Sequence, residues 1–245
     1  MARLVLGTDK SVRIPAIVVE KPTPMPLSVQ KVKDANGKVQ NGSTVIDLDG
    51  ATDIGDFVFY YEYYSTNNIT GTVDFSSLVT ISGSTACRSM FQNCTGITSI
   101  NLSSLTQVSG NSACQNMFNS CTGITSVNLS SLTTITGGSG CSGMFSYCSA
   151  LASVNLDSLN NIMGGQCLGQ MFRACTSLTS LSFPALTSTS FGLYTNQFSN
   201  MLQNVTGCTV HFPSNLQAVI GSWSDVTAGF GGTSTTVLFD LPATN

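Results

Sequence analysis

Apolar and polar residues alternate along this chain in a pattern that returns every 27 residues between about position 87 and position 186. Three residue types mark the period: Met90, Met117, Met144 and Met171; Cys94, Cys121, Cys148 and Cys175; Leu105, Leu132, Leu159 and Leu186. A constant period of about 20 to 50 residues is typical of solenoids and propellers, in which each repeat buries its apolar face against its neighbours. The chain is therefore predicted to be a stack of similar coils.

Each repeat contains two shorter patterns. The apolar residues at 87, 90, 91 and 94 have the i, i+3, i+4, i+7 spacing of one face of a short helix. The residues at 97, 100, 102 and 105 follow L-x-x-L-x-L-x-x-L, in which Ile100 and Leu102 alternate with polar neighbours as a strand does. One strand and one helix per repeat indicate an α/β leucine-rich-repeat solenoid, with a parallel β-sheet on one face and short helices on the other.

The predicted core follows from these positions. The apolar helix faces are expected to be buried, and their residues are Cys87, Met90, Phe91, Cys94, Cys114, Met117, Phe118, Cys121, Cys141, Met144, Phe145, Cys148, Met171, Phe172 and Cys175. The central strand residues are expected to lie side by side in one parallel sheet, at Ile46, Val73, Ile100, Val127, Val154 and Leu181.

The chain divides into four predicted segments. Residues 1–26 contain apolar pieces at 4–6 and 14–19 and prolines at 22, 24 and 26, which indicate a stiff docking arm. Residues 27–44 carry an Asn-Gly turn and are predicted to form a β-hairpin that covers the first coil. The solenoid is assigned to 45–220, with an aromatic first coil around Tyr60 to Tyr64, and a C-terminal cap to 221–245.

Charge and length narrow the classes of partner. Only 9% of the residues are charged and the net charge is −3, which argues against a nucleic-acid or acidic-membrane partner. Seven of the nine lysines and arginines precede position 39. No apolar run reaches the ~18 residues of a membrane-spanning helix. The apolar stretch at the start of the sequence is too short for a signal peptide, so we expect synthesis and folding in a cytoplasm.

The nine cysteines are expected to be buried thiols without a disulfide framework or a zinc site. Cysteines seven residues apart on a helix would be roughly 10.5 Å apart along its axis, beyond the ~7 Å limit for a bridge. A bridge between equivalent cysteines of neighbouring coils stays possible in geometry, because strands lie ~4.8 Å apart. No C-x2-C pair is present and His211 is the only histidine, so zinc is not expected. No cofactor is expected either.

With the strand motif joined to C-x2-M-F-x2-C, residues 45–220 resemble the BspA-like leucine-rich repeats of bacterial and protozoan surface antigens. The resemblance implies a curved right-handed solenoid, no enzymatic activity, and attachment to host proteins, matrix or other cells. It transfers no binding residue, because partners differ between members of that family.

The opening segment, L-V-L-G-T-D-K followed by I-P-A-I-V-V, is similar to short N-terminal segments of tailed-phage virion proteins. This similarity implies a fibre or decoration protein on the virion surface, joined through residues 1–26 to other virion subunits or to further copies of itself as a homo-oligomer. The alternative is a bacterial or protozoan cell-surface adhesin. Under both interpretations the chain is not an enzyme and does not insert into a membrane.

The candidate binding face consists of the outward strand positions, which should stack into one column: Asp47, Asp74, Asn101, Asn128, Asn155, Ser182 and His211. A second polar column runs beside it, at Asp49, Ser76, Ser103, Ser130 and Asp157. Such a face could hydrogen-bond a protein or a glycan, or it could be an ordinary solvated sheet surface.

Neither the acidic residues near position 50 nor the single histidine is expected to form a calcium site or a catalytic site. The acids at 47, 49, 53 and 56 do not fit the D-x-[DN]-x-[DN]-G-x5-E pattern of a helix-loop-helix calcium site. His211 has no evident acidic partner in the sequence, so a catalytic role is not expected.

Overall fold

The computed structural model describes residues 53–54, 65, 69–192 and 196–244 of the chain. The predicted docking arm, the hairpin, the tyrosine-rich part of the first coil and the positions Ile46, Asp47 and Asp49 lie outside the described residues. The described chain is a solenoid of parallel strands of the leucine-rich-repeat type, with few helical residues. None of its described helices is long and apolar enough to cross a membrane.

Three parallel sheets run along the stack. The first sheet contains one strand from each of four successive coils, in the order β2 (Gly71–Asp74), β4 (Ile97–Asn101), β6 (Ser126–Asn128) and β8 (Ser153–Asn155). Val73, Ile100, Val127 and Val154 are partners in neighbouring strands, as predicted from the 27-residue period.

A second sheet of two-residue strands lies around the next corner of each coil. Its order is β1 (Asp53–Ile54), β3 (Thr80–Ile81), β5 (Gln107–Val108), β7 (Thr134–Ile135) and β9 (Asn161–Ile162). The third sheet continues the stack, with the order β10 (Ser180–Ser182), β11 (Thr209–Pro213) and β12 (Thr236–Leu241). Leu181 therefore belongs to the third sheet, and the prediction of one sheet from Val73 to Leu181 is wrong at this last step.

The only described α-helices are α1 (Gln217–Ile220) and α2 (Ser224–Thr227), and both lie between β11 and β12. Short 3-10 helices cover Ser214–Leu216 and Gly229–Gly231. The segment after Gly221 thus combines a helical turn with β12, which pairs in parallel with β11.

The predicted helices behind the strands are absent from the described repeats, and a run of turns takes their place. In the segment 84–94 the N–H of Met90 donates to the carbonyl of Cys87 at 3.1 Å, whereas the N–H of Phe91 donates to Met117 of the next coil at 2.8 Å. This alternation of local and inter-coil bonds continues along the segment. Ser89 and Asn93 have positive φ values of 54° and 65°, so a left-handed residue occurs every fourth position.

The apolar spacing fits these turns as well as it fits a helix, which explains the wrong prediction. Pairs of buried residues return every four positions, at 86 and 87 and again at 90 and 91. Spacing between coils decides between the two structures, because packed helices lie ~8–10 Å apart whereas neighbouring strands lie only ~4.8 Å apart. Turns that bond to the next coil keep the strand spacing on both sides of the stack.

The core lies between the sheets and the turn segments. All fifteen predicted core residues are at most 1% exposed. Phe91, Phe118, Phe145 and Phe172 form a column with ring centroids 5.2 to 6.2 Å apart and interplanar angles of 5° or less. The nine cysteines are free, buried thiols, and those at 121, 148 and 175 donate to phenylalanine carbonyls of the preceding coil at 3.0 to 3.2 Å.

Candidate binding face

The outward side chains of the first sheet form the ladder that the sequence predicts. Asp74 pairs with Asn101, Asn101 with Asn128, and Asn128 with Asn155, each one coil further along. Asn128 and Asn155 are exposed, and Asp74 and Asn101 are half-buried. We call these four residues the polar ladder.

Each side chain of the polar ladder also holds the turn that follows its strand. The Oδ1 atom of Asn128 accepts the N–H of Ser130 at 3.0 Å, and that of Asn155 accepts the N–H of Asp157 at 2.9 Å. Asp74 and Asn101 do the same for Ser76 and Ser103. A side-chain oxygen that bonds the N–H two residues on is an Asx turn. The sequence carries a signal for these turns, an Asn or Asp two residues before a polar residue, although the same pattern also fits an outward column without turns.

The Asx turns fix the direction of the two exposed amides. Because each carbonyl oxygen is engaged, the Nδ2 group of the same amide must point away from the turn. Asn101 uses its Nδ2 internally, donating to Asp74 Oδ1 at 2.9 Å. Asn128 and Asn155 have no such protein acceptor within the described part of the chain, so their N–H groups are available to a ligand.

A shallow depression lies over these two amides. It has a volume of about 420 Å³, and its lining comes from two adjacent coils: Ser126, Val127, Asn128, Ser130, Ser153, Val154, Asn155 and Asp157. Hydroxyls, amides and one carboxylate dominate this lining, whereas small-molecule sites are mostly apolar. The depression is therefore suited to a ligand that offers many hydrogen-bonding groups.

Two threonines that directly precede strands β5 and β7 of the second sheet use their hydroxyls within the protein. Thr106 Oγ1 donates to the carbonyl of Val79 at 3.1 Å, and Thr133 Oγ1 donates to that of Thr106 at 3.0 Å. Both threonines are half-buried. The hydroxyl protons of these two threonines are therefore already donated within the protein.

The predicted column is interrupted after Asn155. Ser182 and His211 are in register with each other on β10 and β11 of the third sheet, but no strand pairing joins β10 to β8. His211 has the acidic partner that the sequence did not reveal, because its Nδ1 lies 2.9 and 3.0 Å from the two carboxylate oxygens of Asp240. Asp240 follows His211 by 29 residues, two more than the 27-residue period, so the period does not predict this contact.

The remaining acids and thiols form no metal centre within the described residues. Asp53, one of the four acids considered for calcium, accepts hydrogen bonds from Thr80 Oγ1 and Ser82 Oγ at 2.8 and 2.7 Å. Its carboxylate therefore ties the first described coil to the next. Asp47, Asp49 and Asp56 lie outside the described residues.

No protein-family model matches the chain, and no curated protein matches it in sequence. Among solved structures, the chain is similar to that of the pneumococcal vaccine antigen PcpA, with a TM-score of 0.50 and 13% identity over 82% of this chain and 42% of that one. A leucine-rich cell surface protein from Faecalibacterium prausnitzii A2-165 matches with a TM-score of 0.31 and 16% identity, over 79% of this chain and 59% of its own. The chain spans less than two thirds of either structure. The similarity to PcpA concerns the fold alone.

Proposed function

We propose that the chain is a non-catalytic binding domain, displayed on a biological surface, that captures a protein or glycan through the polar ladder of its first sheet. The observation that carries the proposal is the pair of exposed amides, Asn128 and Asn155, whose carbonyls are fixed by Asx turns and which both line a shared depression. Donors that are already oriented lose little conformational freedom when a ligand binds.

Several features favour binding over catalysis. The depression holds no histidine or cysteine. His211 and Asp240 lie on the third sheet, on strands separate from the depression. The resemblance of the repeats to BspA-like surface antigens and the similarity in fold to a vaccine antigen agree with surface display.

The test is binding of the labelled chain to a glycan array and to a panel of surface proteins. We choose a double variant, Asn128→Asp with Asn155→Asp, because a carboxylate keeps the acceptor of each Asx turn while the amide donor is lost. The control variant is Gln107→Ala with Asn160→Ala. Both residues are exposed and polar; Gln107 lies on β5 of the second sheet and Asn160 directly precedes β9. We expect the first variant to lose about tenfold or more in affinity, or about 1.4 kcal/mol, and the control to bind normally. Loss in the control alone would contradict the proposal.

The surface on which the domain is displayed is proposed to be a virion, with residues 1–26 as its anchor, and a bacterial cell surface is the second candidate. Support for the anchor comes from the sequence, which places four of the nine cations and four of the seven prolines in that segment. Deletion of residues 1–26 should leave the thermal unfolding transition unchanged and abolish attachment to the larger assembly. If the shortened chain unfolds at a lower temperature, the segment is part of the folded domain and the anchor interpretation is wrong.

A further inference from the structure

The last strand of the stack, β12 (Thr236–Leu241), has one edge without a partner among the described residues. It is the longest described strand, and it pairs only with β11. The described residues after it do not fold back over it, because Thr244 continues around the coil and donates to the carbonyl of Leu186 at 2.6 Å and to Asn215 at 3.3 Å. The N–H of Thr236 points to β11, where it donates to the carbonyl of Cys208 at 3.0 Å. Because successive residues of a strand direct their main-chain groups to opposite edges, those of every second residue are available for pairing on the free edge.

The side chains of β12 are also less covered than those of the coil before it. Val237 and Phe239 are only partly buried, whereas the corresponding residues of β11, Val210 and Phe212, are fully buried. Phe239 stacks on Phe212 with ring centroids 5.7 Å apart, and its other side lacks the next aromatic of the column. Leu238 is 37% exposed and is one of three large apolar residues with that much exposure in the described chain.

Most devices that protect an edge strand are missing here. Natural edges carry lysine, proline, bulges or inward charges. β12 contains no lysine or proline, and its one charged residue, Asp240, is bonded to His211. A register shift lies towards its C-terminal end, between the pairs His211–Leu238 and Pro213–Leu241, and leaves Thr236–Leu238 regular.

We propose that β12 is a dimerisation strand, which pairs antiparallel with β12 of a second copy of this chain around a two-fold axis at Leu238. A two-fold interface needs only one surface that complements itself. Antiparallel pairing centred on Leu238 places Leu238 opposite its own equivalent, Val237 opposite Phe239 of the second copy, and Thr236 opposite Asp240 of the second copy. Apolar residues then meet apolar residues on both faces.

Charge selects this register over the neighbouring one. With the axis at Leu238, the two Asp240 residues lie four residues apart along the strands, or about 14 Å at ~3.4 Å per residue. That separation exceeds the ~8–10 Å Debye length at physiological salt, so their repulsion is largely screened. An axis at Phe239 would instead place each Asp240 opposite Leu238, an apolar partner for a carboxylate. The charge of Asp240 therefore favours the axis at Leu238 over the axis at Phe239.

The first test is the mass of the full chain in solution, measured by sedimentation or light scattering. We expect a dimer for the wild type and a shift towards monomer, with dimerisation weakened about tenfold or more, for Leu238→Lys, which places two ammonium groups opposite each other. Met163→Lys is the matched control, because Met163 is exposed to a similar extent, 43%, but lies away from β12. A monomeric wild type, or a dimer that persists in Leu238→Lys, would overturn the proposal.

The second test does not depend on the stability of the lysine variant. Opposite residues of an antiparallel pair have Cα atoms ~4.5–5.5 Å apart, within the range that a disulfide spans. Under mild oxidation Leu238→Cys should form a covalent dimer, and Thr236→Cys, which faces Asp240, should not. A head-to-tail stack of copies would give a series of larger masses and no Leu238→Cys dimer, and that result would also exclude the two-fold pairing.

Discussion

At the scale of single residues, the stacked phenylalanines of the core stabilise the fold by joining each coil to the next. Phe118 is fully buried, and its ring stacks on those of Phe91 and Phe145 at 5.2 and 5.7 Å. Phe118 thus contacts a ring in the coil before it and a ring in the coil after it. Because every coil depends on its neighbours, damage at one position should weaken the adjoining coils most.

Phe118→Ala should lower the free energy of unfolding by ~3 to 5 kcal/mol, the usual cost of truncating a core aromatic. Urea unfolding measures the loss. Met163→Ala, at an exposed position, should change it by less than about 0.5 kcal/mol. Equal effects of the two substitutions would show that the column does not stabilise the stack.

The thiols give a second prediction at the residue scale, because burial removes them from solvent. Thiol titration of native protein should label few cysteines, and titration of denatured protein should label all nine. Burial raises the pKa of Cys208 to about 11 and that of Cys175 to about 12. Cys208 should therefore be among the first to react as the pH rises. Four disulfides recovered from protein prepared without oxidant would contradict this description.

Stability should also fall in alkaline solution. An unfolded thiol ionises near pH ~8.5, whereas the buried thiol keeps its proton to higher pH, so above this value the unfolded state binds fewer protons than the folded state. The stabilisation is thus complete below the unfolded pKa and is lost as the pH rises towards about 11 or 12. Urea unfolding between about pH 8 and about pH 10 should show this decline, and Cys208→Ala should reduce it. A free energy of unfolding that is constant over this interval would contradict it.

At the scale of elements, the entry to each turn segment depends on a column of glycines that includes Gly83, Gly110 and Gly137. A Cβ atom on Gly110 would lie 1.9 Å from the carbonyl oxygen of Gly83, and one on Gly137 would lie 2.0 Å from that of Gly110. The backbones of neighbouring coils approach closely here, and no side-chain movement can relieve the clash.

Gly110→Ala should therefore destabilise the protein by ~3 kcal/mol or more, at the upper end of the cost of overpacking. Gly138→Ala is the control, because its Cβ would meet only the flexible side-chain oxygen of Asn111, at 2.7 Å, and should cost less than about 1 kcal/mol. Thermal unfolding of the two variants provides the comparison. A Gly110→Ala variant as stable as Gly138→Ala would show that the coils are not stacked this closely.

The sequence predicts the strands correctly, but it predicts helices where the structure has turn segments, and the reason is physical. Ile100 and Val127 alternate with polar residues at a period of two, which few structures other than a strand satisfy. Cys87, Met90, Phe91 and Cys94 fit both a helix and four-residue turns, and the sequence contains no proline or lone glycine in that segment to separate them. The difference lies in hydrogen bonds to the next coil, which depend on partners 26 residues away.

The candidate site was predicted in part. The period alone placed Asp74, Asn101, Asn128 and Asn155 in one ladder, and the structure pairs them in this order. It did not reveal the contact of His211 with Asp240, which breaks the 27-residue register. The break between the first and third sheets was equally invisible, because Val154 and Leu181 on its two sides keep the 27-residue spacing.

For the whole molecule, the central claim is that strands and turn segments stack at one spacing, so that the polar ladder lies on a regular face. Distances between spin labels on two matched pairs of positions test it. Thr72 and Ser153 lie on the first sheet, Gln92 and Arg173 lie in the turn segments, and the members of each pair are three repeats apart. Each site is half-buried or exposed, and would be replaced by cysteine and labelled under native conditions, since the native thiols are buried.

Stacking at the strand spacing predicts nearly equal backbone separations for the two pairs, about 14 Å over three coils. A stack backed by helices would instead separate the turn-side pair by about 24 to 30 Å while the strand-side pair stayed near 14 Å. Equal separations would support the account, and a turn-side separation twice as large would contradict it.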